Sequence, residues 1–534
     1  MYSNDLFLCI GIFSHTYYFF QKGRFLVIMI FLLALSPIIW LIISLGFLKM
    51  QSFKACPIAL LISFAVALLQ YNMPGTDAIT AAVEGAALAC WPILLVIIAA
   101  IFTYNLTVYT KSMDIIKHML TTVSKDRRVL ALLIGWGFGA FMEGMAGFGT
   151  AIAIPASMLV ALGFDPIKSI LLCLIANSVP TTYGSIGIPA STLANLTGLD
   201  PVTLSTYISL QLLPLNIISP FLMVIVVGGS IKALKGVFLL TLLCGLGLAI
   251  PELLISMVAG PELAVMISSI VILAIIIAYA KLRPTNDPTY FMDINPGHVP
   301  LHGGVLACLP FILIFVFLLL TSKFVPAINV PLSSIKTSVL IYTGTNATPY
   351  TFVWLATPGV LIFLAAFISG RCQSASFKEI FTVLGQTIKG LRNTIITIIA
   401  VIATAKVMGY SGMTSDIAAT AVAATGTMYP IIAPLIGSVG TFITGSGTSS
   451  NVLFGNLQTD AAGAINANKA WLAAANSTGT CAGKMISPQS IAIAVGAISL
   501  VGKDSEILKS IIIVYVPYII ALGCIVYFGQ FLVG

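Results

Sequence analysis

The chain has 534 residues, of which 59% are hydrophobic and only 8% charged, with a net charge of +8 and a mean hydropathy of +1.07. A soluble domain carries about 25% charged residues, so this composition excludes one and implies a polytopic membrane protein. The excess of Lys and Arg sits in short connections, where it sets topology and gives no reason to expect nucleic acid.

Taken in order, residues 6–20 are apolar but broken by Ser14-His15, with no basic start and no small-residue cleavage site. They read as part of an N-terminal extension, 1–24, and not as a signal peptide. A bilayer core takes about 20 apolar residues per helix. Stretches 25–48, with Pro37 as a kink, 56–71 and 91–109 are predicted spans. In 111–128, Ile115, Ile116, Met119, Leu120 and Val123 share one helical face among five Lys and Arg, which predicts a helix on the membrane surface.

Next, 129–145 and 150–163 flank the turn Gly147-Phe148-Gly149-Thr150. Each arm is about 20–25 Å long against a core of about 30 Å, which predicts a helical hairpin that enters and leaves by one face. A broken helix follows over 169–194, interrupted from Val179 to Pro189. Plainer spans are expected at 207–231, 237–255, 263–280, 305–320 and 352–368, with polar connections at 281–303 and 321–350. An amphipathic piece at 377–392 precedes a span at 394–409, in which Lys406 is placed to snorkel.

The pattern then returns. Gly445-Ser446-Gly447-Thr448 lies between 430–444 and 449–465, and Ala176-Asn177-Ser178 recurs as Ala475-Asn476-Ser477. A second broken helix is predicted over 470–500, interrupted from Thr478 to Pro488, and a last span over 507–533. Ile98-Ala99 recurs as Ile399-Ala400, and Tyr109-Thr110 with Asp114 recurs as Tyr410-Ser411 with Asp416. Four landmarks at one offset of about 300 residues imply an internal duplication.

The chain therefore divides into the extension 1–24, the first helices of copy one (25–128), its hairpin and broken helix (129–196), middle helices (197–370), the first helices of copy two (371–428), its hairpin and broken helix (429–500) and a last span (501–534). With the loop 49–55 inside, eighteen Lys and Arg fall inside and five outside, as the positive-inside rule requires. The same layout puts six crossings between the matched helices 91–109 and 394–409, so the copies are expected to be inverted. The fold class is all-α, polytopic, with 11–13 transmembrane helices and two inverted repeats, each holding a re-entrant hairpin and a broken helix.

Irregular backbone at membrane depth is tolerated only inside protein or beside water, and paired interruptions in two halves point to a transporter's binding site. Helix starts carry unsatisfied N–H groups and a partial positive charge, which suits an anion. The candidate binding residues are Gly147, Gly149, Asn177, Ser178, Thr181, Gly445, Ser446, Thr448, Ser449, Ser450, Asn451, Asn476, Ser477, Thr478 and Lys484. Lys484 is the one Lys or Arg in any of the breaks, which favours a small monocarboxylate over a tricarboxylate or phosphate. Glu143 lies at the first tip, where an acid costs about 3 kcal/mol on insertion scales, so it should be paired or should load and unload a proton. Nine scattered cysteines form no Cys-x-x-Cys, and no nucleophile–base pair suggests an enzyme.

These strings resemble the L-lactate permease family: Glu143-Gly144-Met145-Ala146-Gly147-Phe148-Gly149, Leu172-Cys173-Leu174-Ile175-Ala176-Asn177, Gly187-Ile188-Pro189, Thr444-Gly445-Ser446-Gly447-Thr448-Ser449-Ser450-Asn451, and Gly483-Lys484-Met485-Ile486-Ser487-Pro488-Gln489-Ser490 with Ile491-Ala492-Ile493-Ala494 after it. The resemblance runs from about residue 25 to the end. It implies a secondary transporter importing lactate and glycolate with protons across a bacterial inner membrane, with kinship to the ion-transporter superfamily and no cofactor beyond the proton gradient. Partners so implied are the small acid, protons and the lipid bilayer, with a homodimer admissible. Where the family pattern has Asp, this chain has Gly447, which places more of any coupling on Glu143. A sodium-coupled carboxylate carrier or an anion exchanger of the same fold is the alternative.

Overall fold

The computed structural model describes residues 29–48, 50–147, 149–284, 287–292, 300–322, 325–345, 347–498, 500 and 503–533; the predicted extension 1–24, Lys49, Phe148 and Lys323 lie outside these. The protein is an all-α polytopic membrane protein. Among the described residues, 10 helices are long and apolar enough to cross a membrane, or 11 with one bent pair counted as a span. Shorter apolar helices at Met29–Leu45, Thr150–Ala161, Pro358–Cys372 and Pro488–Ala497 account for the larger number expected from sequence.

Helix starts follow local chemistry. Asp165 and Asp200 each precede a proline and accept a backbone N–H, from Lys168 at 2.8 Å and Thr203 at 2.8 Å, opening Pro166–Ser178 and Pro201–Gly228. Ser376 and Glu379 close a reciprocal capping box at the start of Phe377–Ser411.

The order of elements recurs. A run of 35 residues, Gly75–Tyr109, is followed by Ser112–Thr121, then by Arg127–Met145 and Thr150–Ala161 across the first tip, then by Pro166–Ser178 and Gly184–Thr197, then by Pro201–Gly228. In the second half a 35-residue helix, Phe377–Ser411, is followed by Met413–Thr425, then by Tyr429–Thr444 and Gly447–Ala464 across the second tip, then by Lys469–Ile486 and Pro488–Ala497, then by Asp504–Val533. Two tyrosines bridge the halves of the chain: Tyr109 donates to Glu379 and Tyr410 to Glu84, each at 2.8 Å.

Tips and breaks lie at the centre. Every residue from Ala470 to Met485 is buried, although Asn476, Ser477, Thr478 and Thr480 are polar. Such a helix is enclosed by protein and not by lipid. Ser52–Leu69, by contrast, exposes Leu61, Leu68 and Leu69.

Five expectations are corrected. Residues 377–411 form one continuous helix, not a surface piece and a separate span, because no proline or cap interrupts Leu391-Arg392-Asn393-Thr394. The second interruption narrows to Ser487, in extended conformation before Pro488, so Thr478 lies inside the helix Lys469–Ile486. Two glycines of that stretch are contact points: a Cβ on Gly479 would lie 2.7 Å from the Pro434 carbonyl carbon, and one on Gly483 would lie 2.9 Å from that of Ser438. Small residues at this spacing let helix backbones meet, as Lys469–Ile486 and Tyr429–Thr444 do.

The predicted surface helix 111–128 ends at Thr121, and Arg128 is buried against Asp126 at 2.7 Å and the carbonyls of Ala233 and Lys235. Lys406 does not snorkel but pairs with Glu84 at 2.8 Å. The span expected at 352–368 begins at Pro358, since Tyr350–Val353 pairs antiparallel with Lys336–Val339 in a two-stranded ribbon inside the connection.

Candidate functional site

The first tip turns on two left-handed glycines, Gly147 at φ +60° and Gly149 at φ +88°. A side chain at Gly147 would meet the Ser185 hydroxyl, and one at Gly149 would lie 2.6 Å from Ile493 of Pro488–Ala497. The tip therefore packs against both broken helices. Ser185 fastens it, donating to the Ala146 carbonyl at 2.9 Å.

The first broken helix bends by 57° between Pro166–Ser178 and Pro180–Thr197. Three successive residues, Ser185, Ile186 and Gly187, take positive φ of 47°, 60° and 74°. For β-branched Ile186 this conformation is strained, and the surroundings must hold it. Gly187 abuts the backbone of Pro261, where a Cβ would fall 2.6 Å from the carbonyl carbon.

The second tip reaches both breaks as well. Gly445, at φ +69°, leaves room for the Gln489 side chain. Ser446 caps Gly447–Ala464 by accepting from the Ser449 N–H at 3.2 Å. A Cβ on Gly447 would sit 3.1 Å from the Thr480 hydroxyl and 3.2 Å from the Thr181 methyl, so this glycine lies between the two copies. Thr448, in the first turn beyond it, is partly exposed.

Asn451 is the hub that joins them. Its amide donates to the Pro189 carbonyl and to the Ser477 hydroxyl, each at 3.0 Å, and accepts from Asn476 at 3.0 Å. Ser477 shares a hydrogen bond with Thr182 at 2.5 Å. Gln458 donates to Asn476 at 3.3 Å and accepts from Tyr429 at 3.0 Å. One polar chain thus runs through the second hairpin, the second broken helix and the first break.

Of the predicted residues, Glu143, Gly147, Gly149, Gly445, Ser446, Asn451, Asn476, Ser477, Thr181 and Lys484 are brought into this assembly. Others are turned to different work. Thr478 donates to Gln211 of Pro201–Gly228 at 2.9 Å. Ser178 and Ser450 spend their hydroxyls on the carbonyls of Ile175 and Gly437, each at 2.7 Å. Asn177 is 1% exposed, and neither amide atom has a hydrogen-bond partner among the described residues. Leaving such atoms unmatched costs about 1–3 kcal/mol each, so they are suited to a polar solute.

Glu143 is 4% exposed, with Oε2 unpartnered among the described residues, and its carboxyl lies against Gly184, where a Cβ would fall 2.6 Å from Oε1. Lys484 is 7% exposed and donates to the Gly445 carbonyl at 2.9 Å, tying the second tip to its broken helix. It forms no ion pair with Glu143 within 4.0 Å among the described residues.

Sequence reasoning missed Ser185, Thr182, Thr480, Gln458 and Gln489. Thr182, Ser185 and Thr480 stand in the polar breaks and were available as hydroxyls, and Gln489 follows the second break directly. Gln458 gains meaning only from its partners Tyr429 and Asn476 on other helices.

A family model described as L-lactate permease matches residues 30–533. An L-lactate permease of Streptococcus iniae is 46% identical over 452 residues, covering 84% of this chain and 94% of that protein. Glycolate permease GlcA of Escherichia coli (strain K12) is 35% identical over 514 residues, covering 90% of this chain and 91% of its own. An L-lactate permease of Bacillus subtilis (strain 168) is 33% identical over 541 residues, covering 93% and 95%.

Proposed function

The chain belongs to the L-lactate permease family, and from that premise we propose that it takes up L-lactate, with D-lactate and glycolate, by proton symport across a bacterial inner membrane. The observation that carries this reading is a pair of ionisable groups of opposite type enclosed beside the breaks: Glu143, whose carboxyl lies against Gly184 of the first break, and Lys484, held on the second tip. An empty site with Glu143 ionised and Lys484 charged is neutral. Adding a monocarboxylate leaves one uncompensated negative charge, which is costly away from water. One proton on Glu143 restores neutrality, so an anion and a proton cross together.

The proposed binding shell is the starts of Thr150–Ala161, Gly447–Ala464 and Pro488–Ala497 with Asn177, Ser446 and Thr448. L-lactate and glycolate permeases are both among the relatives, and the two acids differ by one methyl group on the carbon bearing the hydroxyl. We take the two copies to be inverted, with the hairpins re-entering from opposite sides and moving together against the remaining helices.

The test is uptake into proteoliposomes under an imposed pH gradient, a sodium gradient or internal counter-substrate, with D- and L-lactate, glycolate, pyruvate and succinate as competitors. The expected result is concentrative L-lactate uptake driven by the pH gradient, competed by D-lactate and glycolate but not by succinate. Uptake that follows sodium alone, or that needs internal anion, identifies the carrier as the sodium-coupled or exchanging alternative. In the same assay Ser446→Ala is expected to raise the Km for lactate about tenfold by removing a cap from the second tip, the size of one lost hydrogen bond in an enclosed site. An unchanged Km moves the site away from that tip.

A further inference from the structure

A second carboxyl is enclosed away from the tips. Glu252, in Phe238–Ala259, is 0% exposed. Its Oε1 accepts from Asn216 of Pro201–Gly228 at 3.1 Å, while Oε2 has no partner among the described residues. The other end of the Asn216 amide, Oδ1, is also unpartnered, and Asn216 is 0% exposed. Two acceptor oxygens on touching side chains thus stand unmatched. A third free polar atom is the hydroxyl of Tyr518, in Asp504–Val533, which is 5% exposed and within electrostatic reach of Glu252.

The titratable groups facing Glu252 come from three elements: Tyr518, Tyr183 in the turn Pro180–Tyr183 of the first break, and Cys481 in Lys469–Ile486. Among the described residues no Lys, Arg or His forms an ion pair with it. A carboxylate without a counter-ion in such a place is costly, whereas a carboxylic acid supplies the missing donor for Asn216 Oδ1 or the Tyr518 oxygen.

The location connects this group to the moving parts proposed above. Tyr183 donates to the Ser205 carbonyl at 2.6 Å and shares a hydrogen bond with Ser209 at 2.7 Å, and Ser205 donates to the Ser256 carbonyl at 3.2 Å. The first break is thereby hung on the two helices that hold Glu252 and Asn216. Cys481 lies within electrostatic reach of both Glu252 and Glu143, and touches the Val179 carbonyl at the start of the break.

We propose that Glu252 is a second proton-binding site of the carrier, occupied and emptied in the transport cycle alongside Glu143. The bond made is Oε2–H, from a water-borne proton; the bond broken is the same one, with the electron pair left on the carboxylate that Asn216 holds. Ionisation places a charge beside the anchor of the first break, and protonation removes it. The proposal rests on the reading of the protein as a proton symporter.

The test compares wild type, Glu252→Gln, Glu252→Asp and Tyr518→Phe in proteoliposomes, measuring uphill L-lactate uptake against external pH and, separately, lactate counterflow with no gradient. If wild-type uptake ignores the pH gradient, it is the symport reading that fails. With wild-type uptake pH-driven, Glu252→Gln is expected to lose about tenfold or more of uphill uptake while counterflow continues, and Glu252→Asp to recover part of it. Tyr518→Phe, which takes away one hydroxyl near Oε2 and keeps the ring, is expected to move the midpoint of the pH profile by about half a unit, and it answers the question if Glu252→Gln fails to fold. Wild-type uphill uptake in Glu252→Gln, or an unmoved midpoint in Tyr518→Phe where the first variant cannot be made, overturns the proposal.

Discussion

Replacing Glu143 by Gln is expected to abolish uphill lactate uptake, by about a hundredfold or more, while leaving the protein in the membrane and lactate counterflow in place. The amide keeps the shape that packs against Gly184 but cannot take the proton. A substituted site holding lactate and Lys484 is already neutral, so the anion exchanges freely and no proton follows. Gradient-driven accumulation at the wild-type level in this variant would falsify the coupling role given to Glu143. Loss of counterflow together with uptake would mean instead that the carboxyl is needed for binding.

The second large effect is on stability. Gly479→Ala adds one methyl group and is expected to destabilise the protein by about 3 kcal/mol or more, because the group that must yield is the Pro434 backbone and not a side chain. Gly496→Ala is the control. Gly496 is exposed, and a Cβ there meets nothing within 4 Å, so the change should leave stability equal or slightly raised. Thermal unfolding of the two purified variants in detergent measures the difference. Equal melting temperatures would mean that Tyr429–Thr444 and Lys469–Ile486 do not meet at that point.

The contrast between those two glycines shows what the sequence could and could not reveal. Polar residues and glycines inside apolar runs mark the tips and the first break because lipid cannot satisfy such backbone. A glycine that ends a helix and one that lets two helices touch look alike until the partner is known. The stretch from Thr478 to Pro488, which holds both kinds of signal, is expected to unwind, where the structure has a continuous helix as far as Ile486. Phe377–Ser411 was divided for a related reason: its first half is amphipathic and its second half apolar, yet nothing between them stops a helix.

The candidate site was legible in its main parts and illegible in its wiring. Asn451, Asn476 and Ser477 stood out as amides and a hydroxyl in hydrophobic surroundings. That Asn451 binds Asn476 and Ser477, 25 and 26 positions along the chain, and the Pro189 carbonyl, 262 positions away, depends on how separate helices pack. Glu252 could have been found by the rule that singled out Glu143, since it too is an acid inside an apolar run. Its partner Asn216 lies on a different helix, so the sequence offered the acid without its setting.

The central claim is that both copies of the tip-and-break motif build a single site for one small anion. The most direct measurement is alkylation of single cysteines placed at Thr181, in the first break, and at Thr448, beyond the second tip, in a protein whose nine native cysteines are replaced. The account predicts that L-lactate slows alkylation at both positions with the same half-maximal concentration, and that succinate slows neither. Protection at one position alone, at two different concentrations, or at neither would contradict a shared site.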